Sequence, residues 1–335
     1  MSRAAGSIEA GGSTGRSAGL DALRAIACAL VVGFHLHTVG GVGFGPANVV
    51  LAGGDNGVYI FFALSGYLLY RPFIGRPVDL GAYAIKRAAR ILPGYYIALV
   101  GLTVLTRSAL PVDHPVPYLA IAASYSIPLR GFLGSAWTLS AEVLFYVSLP
   151  LLARLARGRE VGVLGALAVG SMLASVVLRA TLSASTEWLI GSYPVVVYAF
   201  VPGMLLAVVE ARFGGPFRRL AGWPALAVGA ILVALGCVTS TLPVALGAGL
   251  GTPLLMGWLL QHRLPGSRVL AFLGGASYAL YLWHKDALLA FGLVGLPVAL
   301  LAAAASWALA ERPILGWAHT VARTRSRRGA EVAAA

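Results

Sequence analysis

Long apolar runs recur along most of the chain, and they constrain its fold more than any other feature. From Leu20 to Glu311 they repeatedly reach the length at which a helix crosses a bilayer, about 20 residues for ~30 Å of hydrocarbon. Of the 335 residues, 59% are hydrophobic and 11% charged, against about 25% charged in an average soluble domain. This composition excludes a disordered chain, a coiled coil and an ordinary soluble enzyme. It predicts an all-α fold, a polytopic helical bundle in the cell (plasma) membrane.

The apolar runs predict ten transmembrane helices, with the N- and C-termini in the cytoplasm. One further apolar segment, Pro117–Pro128, is too short to span, and we expect it to be re-entrant or interfacial. The predicted spans are Leu20–Val42, Val58–Tyr70, Ile91–Thr106, Trp137–Ala153, Val161–Thr181, Tyr193–Val209, Trp223–Thr241, Pro243–Leu260, Ala271–Ala290 and Val294–Ala310.

The basic residues support this number of spans and this orientation. With ten spans, 18 basic residues fall on the cytoplasmic side, and only Arg107 and Arg130, with Arg179 at an edge, fall outside. This asymmetry follows the positive-inside rule, which an eleventh span at Pro117–Pro128 would break. The net charge of +13 is therefore interpreted as topology signals and contacts with anionic membrane lipids, and not as nucleic-acid binding.

Three parts are expected along the chain. Residues 1–19 are predicted to be a flexible cytoplasmic tail, 20–313 the transmembrane domain and 314–335 a basic cytoplasmic tail. Cys28 and Cys237 both lie in apolar runs and favour neither a disulfide framework nor a metal site. The six histidines are scattered, so no metal is predicted.

The first span carries ionisable residues that a membrane helix tolerates only for a reason, since each costs ~2.5–3.5 kcal/mol on insertion scales. Arg24 and His35 share one helix face and lie ~16 Å apart along the axis, with Asp21 near the same stripe. Histidine is the side chain best suited to exchange a proton near neutral pH, so His35 is a candidate general base. A packed histidine bonded to a backbone carbonyl is the alternative interpretation, and the spacing leaves both open.

Arg87 and Arg90 lie three residues apart on one face, just before a predicted span. Two guanidinium groups at this spacing can bind a phosphate, although basic residues at this position also serve as topology signals.

Glu142 lies near the outer end of the fourth span, at about the predicted depth of His35, and shares a helix face with Tyr146. We expect it to pair with a histidine, an arginine or a hydroxyl. Ser277, Tyr281 and His284 form a further polar stripe late in the chain.

Five sequence blocks, in this order, resemble those of the acyltransferase 3 family of integral-membrane acyltransferases. They are GLDALRAIA from Gly19, GVYIFFALSGYLL from Gly57, RAARILPGY from Arg87, WTLSAEVLFY from Trp137 and GGASYALYLWH from Gly274. The first block is followed by His35 on the same predicted span. The blocks cover the chain from about residue 19 to 313.

The resemblance implies transfer of an acyl group, commonly acetyl from acetyl-CoA, to a hydroxyl of a carbohydrate or another glycosylated or lipid-linked acceptor. It implies that His35 is the essential first-helix histidine and that Arg87 and Arg90 bind acyl-CoA. Arg24, Glu142 and Tyr278 fall on family motif positions. Acyl-CoA would be a co-substrate and not a permanently bound cofactor. The family includes cell-envelope modifiers and antibiotic-tailoring enzymes.

The resulting hypothesis assigns roles to ten residues. His35 acts as general base and Glu142 orients it, while Arg24, Arg87 and Arg90 bind acyl-CoA. We expect acceptor contacts from Trp137, Ser140, Tyr146, Tyr278 and His284. Tyr278, Ser140 or a backbone amide are candidate donors to the oxyanion. Direct transfer is favoured over an acyl-His35 relay because no Ser or Cys nucleophile motif is present. A transporter or flippase without chemistry of its own is the alternative function.

Overall fold

The computed structural model describes residues 6–75, 77–181, 189, 191–220, 222–238, 247–262, 264 and 267–334. Across these ranges the chain forms helices and turns, and no β-strand is found in them. The α-helices of the first half are α1 (Gly6–Thr38), α2 (Asn48–Leu51), α3 (Gly57–Tyr70), α4 (Leu80–Thr106), α5 (Leu110–Asp113), α6 (Pro115–Leu119) and α7 (Trp137–Ala156). Those of the second half are α8 (Glu160–Thr181), α9 (Tyr193–Val196), α10 (Val201–Leu220), α11 (Trp223–Val238), α12 (Thr252–Leu259), α13 (Ser267–Phe291), α14 (Gly295–Ser306) and α15 (Arg312–Ala334).

Several helices are long and apolar enough to cross a membrane. Five such stretches occur among the described residues, and two pairs of helices that bend at a short break raise the number to seven. The prediction of a helical membrane protein is therefore supported, whereas ten spans and the orientation of the termini are not confirmed. The predicted spans Trp223–Thr241 and Pro243–Leu260 extend into residues 239–246, which lie outside the described residues.

The longest stretch, Arg268–Ser326, folds back on itself instead of running straight. Gly292 has a φ of 57°, a left-handed conformation that favours glycine, and it reverses the chain between α13 and α14. The two helices then pack together so closely that a Cβ on Gly295 would overlap the carbonyl of Ala287. The predicted spans Ala271–Ala290 and Val294–Ala310 correspond to these two arms.

Both ends of the chain are more helical than the apolar pattern indicates. α1 begins at Gly6, inside the predicted tail, and ends at Thr38 and not at Val42. At the other end, a π-helical turn at Trp307–Glu311 leads into α15, so the predicted basic tail is helical as far as Ala334. Pro313 explains the wider turn, because its ring would clash with the preceding turn of a regular α-helix and its nitrogen has no proton to donate.

The segment Pro117–Pro128 forms no helix of spanning length, as expected. It contains the end of α6 and short 3-10 turns at Ala123–Tyr125 and Ile127–Leu129. The buried hydroxyl of Tyr118 donates to the Leu129 carbonyl at 2.8 Å, and Tyr95 of α4 donates to the Tyr118 carbonyl at 2.7 Å. These bonds fix the segment against the helices that carry the polar side chains.

Small residues bring α1, α3, α10 and α13 into backbone contact, as is common between membrane helices. A Cβ on Gly274 of α13 would lie 2.6 Å from the Cα of Asp21 on α1, and a Cβ on Gly57 of α3 would overlap the carbonyl of Ala27 on α1. On the far side of α3, a Cβ on Gly203 of α10 would overlap the carbonyl of Ala63. The polar side chains of α1, α3 and α13 are therefore held side by side.

Replacing Gly203 by Ala is expected to destabilise the protein, because the added methyl group forces α10 away from α3. Gly165→Ala is a matched control, since Gly165 also lies inside a helix but a Cβ there has nothing within 4 Å. Size-exclusion profiles and thermal unfolding in detergent would measure the difference. A Gly203→Ala protein as stable as the Gly165→Ala protein would contradict the close packing of α3 and α10.

Candidate active site

A cavity of about 480 Å³ opens between α1, α3, α4, α7 and α13, and we call it the arginine cavity. Six charged side chains line it, namely Asp21, Arg24, Lys86, Arg87, Arg90 and Glu142. Lys86, Arg87 and Arg90 reach it together because residues three and four apart share a face of α4. The cavity thus collects the charges that the sequence places in or beside apolar helices.

The start of α4 is fixed by its N-cap, Asp79. The Asp79 carboxylate accepts hydrogen bonds from the backbone N–H groups of Gly81 and Ala82 at 2.9 and 3.1 Å. The bond from Ala82, followed by contacts with Arg325 and Gly81, holds the pKa of Asp79 below its ordinary value. The capped end sets which face of α4 turns its basic side chains toward the cavity.

Arg87 and Arg90 are held by aromatic rings and not by carboxylates. The Arg87 guanidinium carbon lies 5.7 Å from the Tyr146 ring centroid, and that of Arg90 lies 5.6 Å from the Tyr278 centroid. Among the described residues, no carboxylate oxygen lies within 4.0 Å of either guanidinium. The Nε atom of Arg87 is buried and has no hydrogen-bond partner among the described residues. Both groups therefore keep N–H donors for an anion.

Arg24 also lines the arginine cavity, but its charge is already paired. Its guanidinium lies 2.7 Å from the carboxylate of Asp21, one turn earlier on α1. Arg24 is thus less free to bind an anion than Arg87 and Arg90, although the sequence groups the three together.

Glu142 does not contact His35. Its Oε1 atom accepts hydrogen bonds from Ser65 on α3 and from Tyr146 on its own helix, each at 2.6 Å. Glu142 lines the arginine cavity, whereas His35 lines a different one. The similar depth of the two residues along their helices did not reveal that they face different cavities. The expected pairing of Glu142 with a hydroxyl is found.

The second cavity, of about 1060 Å³, is lined by His35, and we call it the histidine cavity. Val58 of α3 and Tyr281 of α13 line both cavities and form the boundary between them. Tyr281 is held in place, because its hydroxyl donates to the Ser135 carbonyl at 3.0 Å and accepts from Thr138 at 3.1 Å. The two cavities are therefore neighbours that have these two side chains in common.

His35 contacts a second histidine, His284 of α13. The Nδ1 atom of His35 lies 2.9 Å from the Val31 carbonyl and 3.1 Å from Nε2 of His284. The Nδ1 atom of His284 lies 3.1 Å from the Leu280 carbonyl. A carbonyl can only accept, so each neutral ring carries its proton on Nδ1. His35 then shares its Nδ1 proton between Val31 and His284, and its Nε2 atom keeps a free lone pair.

The remaining predicted site residues divide between the two cavities and the protein core. Tyr146 and Tyr278 line the arginine cavity, and Trp137 lines the histidine cavity. Ser140 lines neither cavity and is buried, with its hydroxyl donating to the Ile121 carbonyl at 2.6 Å. His284 is fully buried against His35 and does not itself line a cavity.

Two candidate oxyanion donors are already engaged. The Tyr278 hydroxyl donates to the Ile91 carbonyl at 2.9 Å, and the Ser140 hydroxyl donates to Ile121. Neither keeps a free proton for a developing negative charge.

Sequence reasoning did not assign four charged residues to the site that line the histidine cavity, namely Asp55, Arg130, Arg179 and Lys285. One signal for Lys285 was present, because it is one of two lysines in the chain and lies inside a predicted span, directly after His284. The grouping of the other three depends on loops and helix ends whose positions the apolar pattern does not fix.

Comparison with known proteins identifies similar chains. The exopolysaccharide production protein ExoZ of Rhizobium meliloti (strain 1021) is 28% identical over 327 residues, which cover 83% of this chain and 95% of ExoZ. Nodulation protein 10 of Rhizobium leguminosarum bv. viciae is 27% identical over 302 residues, covering 77% of this chain and 82% of that protein. The putative peptidoglycan O-acetyltransferase YrhL of Bacillus subtilis (strain 168) is 37% identical over 91 residues, 26% of this chain and 13% of YrhL.

No solved structure matches the chain. A family model described as an acyltransferase domain matches residues 17–319, a range that includes both cavities and every predicted site residue. The chain therefore belongs to the acyltransferase 3 family.

Proposed function

We propose that this protein is a membrane-embedded O-acyltransferase that moves an acyl group, the acetyl group of acetyl-CoA, to a hydroxyl of a carbohydrate. The observation that carries the proposal is the adjacency of two different cavities, one with two unpaired guanidinium groups and one with His35. Membership of the family supports acyl transfer. The relatives named for exopolysaccharide production and for peptidoglycan O-acetylation support a carbohydrate acceptor.

The arginine cavity is the proposed site of the acyl-CoA phosphates. Arg87 and Arg90 offer N–H groups in a planar arrangement that suits phosphate oxygens, with Lys86 adding a third positive charge. From there the narrow pantetheine arm extends along α1, and its thioester end passes Val58 and Tyr281 toward His35.

In the proposed reaction, His35 acts on the acceptor at its free Nε2 atom. The ring takes the proton of the acceptor hydroxyl, and the oxygen attacks the thioester carbonyl carbon as the new C–O bond forms. The C–S bond then breaks, and the CoA thiolate receives the proton back from His35. One acetyl ester and one free thiol result. His284 is the proposed positioning residue, since it keeps the Nδ1 proton of His35 on the side away from the acceptor.

Direct transfer remains the preferred route over an acyl-His35 intermediate. The same free Nε2 atom would be the nucleophile in that relay, so the two routes use one geometry. Transport without chemistry is the alternative function, and it differs in one measurable respect, because a transporter or flippase releases no CoA.

Replacing His35 by Ala or Gln should abolish CoA release, with a loss of ~10²–10⁴-fold because the general base is gone. His37→Ala is a matched control, since His37 lies on the same helix and lines neither cavity. A thiol-reactive dye measures CoA release by purified protein in detergent with acetyl-CoA and a sugar acceptor, and size-exclusion chromatography verifies folding. Folded His35 variants that keep full activity would overturn the assignment, and a wild-type protein that releases no CoA with any acceptor would favour transport.

Replacing Arg87 or Arg90 by Gln should raise the KM for acetyl-CoA about ten-fold or more, because a charge-assisted bond to phosphate is lost. The kcat should change less, since neither group touches the reacting atoms. Arg154→Gln is the control, an exposed arginine at the end of α7 that lines neither cavity. Initial rates over a range of acetyl-CoA concentrations separate KM from kcat. An unchanged KM in both variants would remove the arginine cavity as the donor site.

A further inference from the structure

The histidine cavity carries an excess of positive charge. Among the side chains that line it, Arg130, Arg179 and Lys285 are cationic, and Asp55 is anionic. Arg130 and Lys285 are half-buried, whereas Arg179 and Asp55 are exposed. Within the described part of the chain, no carboxylate oxygen lies within 4.0 Å of the nitrogens of these three cations. The cavity therefore contains cationic groups without ion-pair partners.

Of these three cations, Lys285 points most strongly to a binding site, because placing a lysine within an apolar membrane helix costs free energy and such residues usually mark functional sites. Its ammonium nitrogen would lie 3.0 Å from a Cβ on Gly134, so the Lys285 side chain passes through the space beside Gly134 that a larger residue would restrict. The carboxylate of the next residue, Asp286, has no oxygen within 4.0 Å of this ammonium group; it accepts the Leu133 N–H at 2.9 Å and does not line the cavity. The ammonium group is thus directed into the cavity that His35 lines.

Aromatic rings complete the lining. Tyr59 and Tyr198 lie nearly parallel, with ring centroids 6.1 Å apart, and Trp137 and Tyr281 lie on other walls. The carbon faces of a pyranose ring pack well against such rings, while its hydroxyl groups and charged substituents reach polar groups at the edges. A cavity of about 1060 Å³ has room for more than one sugar unit.

We propose that the histidine cavity binds an anionic carbohydrate, whose carboxylate or phosphate group contacts Lys285 and Arg130 while the hydroxyl to be acylated lies at Nε2 of His35. This inference rests on the proposed function, because it names the class of acceptor for that reaction. An anionic group held near the reacting hydroxyl fixes the orientation of the sugar and excludes neutral sugars by leaving the two cations unpaired.

Three small sugars test the proposal by binding, before any turnover is required. Methyl glucoside is neutral, its uronic acid carries a carboxylate, and glucose 1-phosphate carries a phosphate. Saturation-transfer NMR on the purified protein compares their affinities. We expect at least one acidic sugar to bind roughly ten-fold more tightly than the neutral one at low salt, and this advantage to shrink as the Debye length falls from ~30 Å to ~8 Å between 0.01 and 0.15 M salt. The uronic acid and the phosphate show which anion is preferred.

Variants then locate the effect. In Lys285→Met and Arg130→Gln the preference for the acidic sugar should fall about ten-fold, while the KM for acetyl-CoA stays as in the wild type. Arg107→Asn is the control, because Arg107 is an exposed arginine that lines neither cavity, and Asn tolerates its left-handed φ of 52°.

The outcomes separate this inference from the proposed function. Equal binding of neutral and acidic sugars, or an unchanged preference in both variants, would overturn the anionic acceptor. A raised KM for acetyl-CoA in those variants would also overturn it, since the cations would then bind the donor. Selective binding of an acidic sugar without any release of CoA would support the histidine cavity as the binding site of an anionic carbohydrate and would refute acyl transfer.

Discussion

The close packing of α1 against α13 is the constraint on which the candidate site depends. At one end of the contact, Gly274 allows the backbone of α13 to reach Asp21, beside Arg24. At the other end, His284 meets His35 at 3.1 Å. One helix pair therefore supplies the histidine pair and one wall of each cavity. A larger residue at Gly274 would separate the helices and remove both features together, because they are built on the same two rigid segments.

The two cavities differ in how their charges are balanced, and this difference suggests which substrate each cavity would bind. In the arginine cavity, Arg24 is paired with Asp21, and Glu142 is bonded to two hydroxyls, so the cations left for an anion are those of α4. The histidine cavity has His35, backed by the buried His284, at one wall and cations at others. In the proposed reaction, the phosphate-bearing donor and the hydroxyl-bearing acceptor therefore bind on opposite sides of Val58 and Tyr281. Catalysis in this account comes mainly from bringing the two together and from moving one proton.

The sequence predicted the class of fold and most of the charged residues that line the arginine cavity, but it did not predict how these residues are arranged. Apolar runs revealed a helical membrane protein, and the cost of burying charge singled out Arg24, His35 and Glu142. Depth along a helix, however, does not give the rotation of one helix about another, so Glu142 was expected beside His35, and the His35–His284 pair was not foreseen. The apolar pattern placed the chain reversal between Ala290 and Val294, where the left-handed Gly292 lies, but it did not fix the loops that bring Arg130 and Asp55 to the cavity.

The central claim is that a thioester bound through Arg87 and Arg90 reaches His35 past Val58 and Tyr281. A cryo-EM structure with a ketone analogue of acetyl-CoA, which cannot be cleaved, tests it most directly. The account predicts phosphate oxygens within ~3 Å of the Arg87 and Arg90 nitrogens and the ketone carbon beside Nε2 of His35. Phosphates bound instead at Lys285 and Arg130, or a ketone that stays among the side chains of the arginine cavity, would contradict it.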